Sequence, residues 1–141
     1  MKKIVALLLC VILVCAFFCG CGGKNTETAE SDKKNVLTPY CLLTPTDDYE
    51  GQTLSEFMSF AKQREILDYN LDNGMVTSLN GIDNAADYSS CWMLYTDDAA
   101  NSNDAWGTVE YNGKTYASAS FGATELVIAK GCVYIWVYTA F

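Results

Sequence analysis

Residues 53–64, TLSEFMSFAKQR, carry apolar side chains at Leu54, Phe57, Met58 and Ala61, one face of a helical period. Thr53 and Glu56 form a capping box at its start: the Thr53 hydroxyl accepts from the Glu56 amide, and the carboxylate reaches back to Thr53. The pattern predicts a helix over Leu54–Arg64, with Lys62 and Arg64 near its negative end. Its Phe and Met stripe reads as core rather than as a cofactor box. Elsewhere the period is two. Met75 to Leu79 alternates and stops at Asn80-Gly81, a pair that tolerates positive φ and marks a turn. After a polar loop, Cys91-Trp92-Met93-Leu94-Tyr95 is apolar throughout and suits a strand buried on both faces. Trp106–Tyr111 and Thr115–Ala119 flank Asn112-Gly113-Lys114, a hairpin signal. Glu125–Ala129 reads as a short strand, and Ile66–Asn73 as ambiguous, with a turn at Asp72-Asn73-Gly74. Val133 to Tyr138 alternates Val and Ile with aromatics, apolar on both faces, as a central strand would be. Val36–Leu43 is strand-like, but Pro39 cannot donate to a ladder, so an edge or broken strand is expected.

The first residues follow a different logic. Lys2 and Lys3 precede an apolar run from Ile4 to Phe18, short for a bilayer span, that ends in Phe18-Cys19-Gly20-Cys21. A small residue directly before a cysteine resembles a bacterial lipobox, with Phe18 where leucine is usual. Residues 1–20 then form a lipoprotein signal peptide and Cys21 carries the lipid. The competing readings are a plain transmembrane anchor and a secretory peptide cut elsewhere. Residues 21–35 hold no large apolar side chain after Cys21 and read as a flexible tether; the folded domain is residues 36–141. The whole chain carries −8, and loss of Lys2 and Lys3 leaves seven basic side chains against seventeen acidic ones, a balance of −10. Such a surface argues against nucleic acid or anionic headgroups as partners. Attachment to the membrane therefore falls to the lipid on Cys21.

Chemistry is sparse. The chain has no histidine, which removes Ser-His-Asp and Cys-His nucleophiles and the commonest metal ligand. Cys10, Cys15 and Cys19 leave with the signal. Cys41, Cys91 and Cys132 remain, too scattered for a zinc motif. They read either as small buried hydrophobes or as one disulfide plus a free thiol. Asp68–Gly74 starts like a calcium loop but has Asn73 and Leu79 where an EF-hand needs Gly and Glu. Asp97, Asp98, Asn101, Asn103 and Asp104 read as a solvated loop. No pair of carboxylates stands out for acid–base work, so a non-enzyme with no cofactor and no metal is expected. The aromatics are the better clue: most must be core, but Tyr and Trp also serve binding sites.

Ser78-Leu79-Asn80-Gly81-Ile82, Trp92-Met93-Leu94-Tyr95, and Lys130-Gly131 before Val133 to Tyr138 resemble the transcobalamin-like C-terminal domain family, over roughly Val36 to Phe141. The resemblance implies a β-grasp-like α+β fold: a mixed, mainly antiparallel sheet of about five strands, one packed helix, and the Asn112-Gly113 hairpin as an insertion. It also implies a non-catalytic binding domain that captures a small molecule such as a corrinoid. In cobalamin carriers a helical domain supplies the other half of the site, and this chain has no room for one. Without histidine, cobalt gains no imidazole ligand. Binding would rest on Trp92, Tyr95, Trp106 and Trp136, with Asp83, Asn84, Asp87, Asn101 and Asn103 as polar candidates. The other expectation is a surface module for a partner protein or polysaccharide, without a small-molecule pocket. A face lined by Tyr134, Trp136 and Tyr138 needs a cover, either the Asn112-Gly113 hairpin or a ligand or partner. The lipobox reading makes one direct prediction. Cys21→Ala should abolish lipid labelling and either shed the protein from membranes or leave it uncleaved; unchanged labelling would refute it.

Overall fold

The computed structural model describes residues 39–141; the signal, Cys21, the tether and residues 36–38 lie outside them. No helix in the described residues is long and apolar enough to cross a membrane. The chain runs β1 (Tyr40–Leu43), a 3₁₀ turn (Asp47–Tyr49), α1 (Leu54–Gln63), β2 (Tyr69–Asp72), β3 (Met75–Leu79), β4 (Ile82–Asp83), β5 (Ser90–Thr96), β6 (Ser102–Tyr111), β7 (Lys114–Ala119) and β8 (Tyr134–Ala140). A five-stranded sheet has the order β1-β8-β5-β7-β6, and β2-β3-β4 form a separate three-stranded sheet. Every strand pairing is antiparallel. The fold is α+β, with one α-helix and antiparallel sheets.

The helix begins where the capping box predicts. The Glu56 amide donates to the Thr53 hydroxyl at 3.3 Å, and the Thr53 amide to the Glu56 carboxylate at 2.8 Å. Leu54, Met58 and Ala61 are its buried residues, and Arg64 caps it rather than extending it. Asn112 and Gly113 both have positive φ (51° and 74°), the type I′ geometry whose twist matches a hairpin. Asn-Gly pairs close β2–β3 and β3–β4 in the same way. β1 is an edge strand, as Pro39 requires.

Strand β8 organises the packing. Tyr134 and Trp136 join Trp92, Leu94, Leu126 and the buried helix residues in the main core. Ile135 and Val137 point the other way, into a second core with Tyr95 and Tyr116. Of the covers expected for the Tyr134–Trp136 face, the hairpin is therefore ruled out. The α1 side covers that face, and the hairpin covers the opposite one. Tyr40 on one edge strand meets Tyr111 on the other, ring centroids 5.1 Å apart, so the sheet curls until its edges touch.

One expectation about strands is also corrected. Glu125–Ala129 is not a strand, because its backbone bonds go to the segment that opens α1. Leu54 N–H donates to Leu126 O at 2.9 Å and Ile128 N–H to Gln52 O at 2.8 Å, leaving a single bridge between Val127 and Thr53.

The cap gives a stability prediction. Bonds from the Thr53 amide and hydroxyl hold the Glu56 carboxyl below its usual range. Thr53→Ala should cost about 1 kcal/mol, or roughly 4–8 °C in melting temperature. A depressed carboxyl stabilises above its unfolded value and loses that contribution as pH falls through its folded value. The gap between wild type and Thr53→Ala should therefore be constant near neutrality and shrink in acid, below the ordinary glutamate range.

Candidate ligand groove

The site follows from where β5 loses a neighbour. β5 pairs with β8 along its whole length, from Ser90↔Ala140 to Thr96↔Tyr134. Its other side pairs with β7 only through Tyr95↔Ser118 and Thr96↔Ala117. Beyond that β7 swings away. The Ser120 amide donates to Asn101 O at 2.8 Å, and Gly122 lies so close to Gly74 that a Cβ there would meet its carbonyl oxygen at 3.0 Å. The divergence opens a groove of about 430 Å³ along Cys91–Leu94, walled by Asn73–Val76, Ser118–Gly122 and Trp106, with Trp136 also in its lining. No lining residue is charged.

Its rim is aromatic and exposed: Trp106 is 63% accessible, Phe121 47% and Met75 42%. Trp106 owes its position to an interruption in β6. The register passes from Asn103↔Ser118 to Thr108↔Ala117, so Asp104, Ala105, Trp106 and Gly107 have no partners in β7. Gly107 sits at φ 116°, where an L side chain is strained. The Ser118 hydroxyl donates to Trp106 O at 3.3 Å, and the Ala105 amide to Asn103 Oδ1 at 3.0 Å. Bulges of this kind re-aim a side chain.

Trp92 is fixed by two bonds. Its indole donates to Ile82 O at 2.8 Å and its amide to Asn84 Oδ1 at 2.9 Å. The Asn84 amide group also donates to Val76 O at 2.9 Å, stapling β5 to β3. Trp136 is 4% exposed, and its Nε1 is the one buried side-chain nitrogen or oxygen without a partner among the described residues. Such an orphaned donor costs free energy in proportion to its desolvation.

Of the residues singled out by sequence, Trp92, Trp106 and Trp136 converge on this groove. Tyr95 does not: it points into the second core. Asn84 is spent on its staple. Asp83 is exposed, and its carbonyl accepts from the Tyr138 hydroxyl at 3.0 Å. Asp87 accepts from the Ser89 amide and hydroxyl, which hold its carboxyl low. Asn101 bonds Asp98 at 2.7 Å and Asn103 braces the Trp106 bulge. Met75, Met93, Ser120 and Phe121 escaped the sequence reading. They follow from the divergence of β7, which leaves no mark in hydrophobic period.

The Asp97–Asp104 stretch is not the solvated loop expected, since Asp98 is buried and Asp97 and Asp98 both bond to backbone amides. Asp97 accepts from the Val133 amide at 2.7 Å and pairs with Lys114. Buried Asp98 accepts from the Ala100 amide at 3.0 Å. Among the described residues no three His, Cys, Asp or Glu side chains group to hold a metal ion. A second apolar cleft, about 300 Å³, lies between β1 and the end of α1 and includes none of the ligand-binding candidates named from the sequence. No family model, curated protein or solved structure matches this chain.

Cys41, Cys91 and Cys132 are free thiols. Cys41 pairs with Trp136 and Cys91 with Thr139, on opposite sides of β8. A whole strand spacing on each side puts their Cα atoms beyond disulfide reach. Burial pushes all three thiols above the ordinary range, and at Cys132 the nearby Asp97 and Asp98 add to it. The thiolate is the nucleophile, so alkylation at neutral pH should be slower than in the unfolded chain and should accelerate as pH rises past the usual cysteine range. Equal rates folded and unfolded would contradict this burial.

Proposed function

We propose that this chain is a bacterial lipoprotein, held by lipid on Cys21 at the outer side of the cytoplasmic membrane, whose domain captures an uncharged ligand without transforming it. The convergence of Trp92, Trp106 and Trp136 on a groove with no charged lining residue carries the reading. Rigid aromatic walls supply contact area at low entropy cost, and a groove without charge disfavours ionic ligands. The volume is within the range of small-molecule sites. The absence of histidine from the chain and the lack of a distinguished carboxylate pair support binding rather than catalysis. The acidic surface supports a partner other than nucleic acid.

The family resemblance extends the proposal to a β-grasp-like domain with the β6–β7 hairpin as an insertion. It also nominates a corrinoid, one face of whose macrocycle would stack on the exposed Trp106 and Phe121. One open groove would desolvate only that face, so affinity would be weak without a partner to close the site. The second reading, a surface module for a partner protein or polysaccharide, draws on how open the Trp106–Phe121 rim is.

The test is a cobalamin titration of the purified full-length protein in detergent, followed by visible absorption and by tryptophan emission corrected for inner-filter loss. Saturable change below the high-micromolar range that Trp106→Ala weakens at least about tenfold supports the corrinoid. No saturable change removes it and leaves the surface module.

A further inference from the structure

We propose that the β5 groove accepts an extended, uncharged peptide strand from another protein, which adds to the bare edge of β5 at Cys91–Leu94. The inference rests on the reading of this groove as the binding site and names its occupant.

The groove is first of all a backbone edge. In an antiparallel ladder, alternate residues direct both N–H and C=O to the same neighbour. The Trp92 amide donates to Asn84 rather than to β8, which fixes the parity. Trp92 and Leu94 therefore turn their backbone groups away from β8, toward the groove. β7 pairs only as far as Tyr95. Among the described residues no strand pairs with β5 at the Trp92 carbonyl or the Leu94 amide; β3 stands across the groove, tied to Trp92 through Asn84. An unpaired edge is a template for another chain, and proteins ordinarily cover or blunt one. Here it is flanked by side chains that suit a strand instead.

Those side chains decide between ligand classes. A strand laid on the edge sends alternate side chains to opposite faces. Met93 and Cys91 line one face of the edge, Trp92 and Leu94 the other, and Trp106, Phe121 and Met75 rise around it. Methionine adapts to varied apolar partners. Cys91–Leu94 spans about 13 Å at strand rise, room for a few peptide residues. A charged peptide residue would find no counter-ion in the lining and would pay for desolvation. A glycan would need several free polar side chains. Asn73, Ser118 and Ser120 are the polar ones present, and the Ser118 hydroxyl is already committed to Trp106 O. Trp136 Nε1 is buried beneath the same lining without an acceptor among the described residues, so its indole reports on changes there. The recognition mode is strand addition, in which main-chain bonds give affinity and flanking pockets give preference.

The test pans random short peptides displayed on phage against the full-length protein, with counter-selection on Trp106→Ala. Enriched peptides are then synthesised and added to isotopically labelled protein. The expected result is enrichment of apolar, uncharged sequences that slow Cys91 alkylation, shift the Leu94 amide and Trp136 indole resonances saturably, and lose at least about tenfold in affinity with Trp106→Ala. N-methylation at alternate peptide positions should abolish binding in one register and spare it in the other. Peptides that bind equally in both methylated forms would overturn strand addition. So would the absence of any Trp106-dependent enrichment. If cobalamin or neutral oligosaccharides shift the same resonances where peptides do not, the groove reading stands and this inference falls. If shifts appear with protein concentration alone, the occupant is a second copy and the inference also falls. If no added molecule shifts them, both readings fall.

Discussion

Strand β8 has no face that water can be allowed to touch. Tyr134 and Trp136 are buried on one side, Ile135 and Val137 on the other. A buried aromatic removes on the order of 200 Å² from water, roughly 5 kcal/mol of transfer free energy, so both faces demand a lid. The chain supplies two different ones. Helix α1 and its small sheet close the first. The β6–β7 hairpin closes the second, drawn down until Tyr111 meets Tyr40 across the width of the sheet.

The second lid has a geometric cost. A strand that stays flat beside β5 cannot also curl over the Ile135–Val137 face. β7 resolves this by pairing with β5 at Tyr95 and Thr96 and then leaving it. The groove is what that departure opens. The break in β6 belongs to the same compromise, since the residues released from pairing with β7 are those that present Trp106. Site and fold therefore share one cause: the need to cover a strand that is apolar on both faces.

Much of this was legible along the chain. The capping box placed the helix start to the residue, because its bonds are local. The Asn-Gly pairs placed the hairpin turns for the same reason. The period-two pattern of Val133 to Tyr138 showed a strand buried on both faces, though not which element covers which face, since that depends on pairing distant in sequence. The three tryptophans that the corrinoid expectation singles out all line the groove. Tyr95 was misplaced because alternation along β5 sends it to the opposite face from Trp92. Asn84 looked like a ligand contact and proved to be a staple between strands, a role that only the three-dimensional neighbours of an amide can reveal. Phe121 left no signal because its exposure comes from the course of β7, not from its local pattern.

The Asn-Gly turns also set a chemical lifetime. In an Asn-Gly pair the unhindered glycine amide nitrogen can attack the asparagine side-chain carbonyl, expelling ammonia to form a cyclic imide that water then opens, and Asn is among the thermolabile residues. Rearrangement would insert an extra backbone carbon into a two-residue turn and add a negative charge. The three turns should not age alike. Asn80 is tied at both ends, its side-chain oxygen accepting from the Asp68 amide at 3.1 Å and its own amide donating to Asp68 O at 2.7 Å. Asn112 stands exposed at the hairpin tip, next to Tyr111. Wear there would loosen the contact that draws the sheet edges together, so an ageing molecule would lose the lid over its second core before it lost its helix.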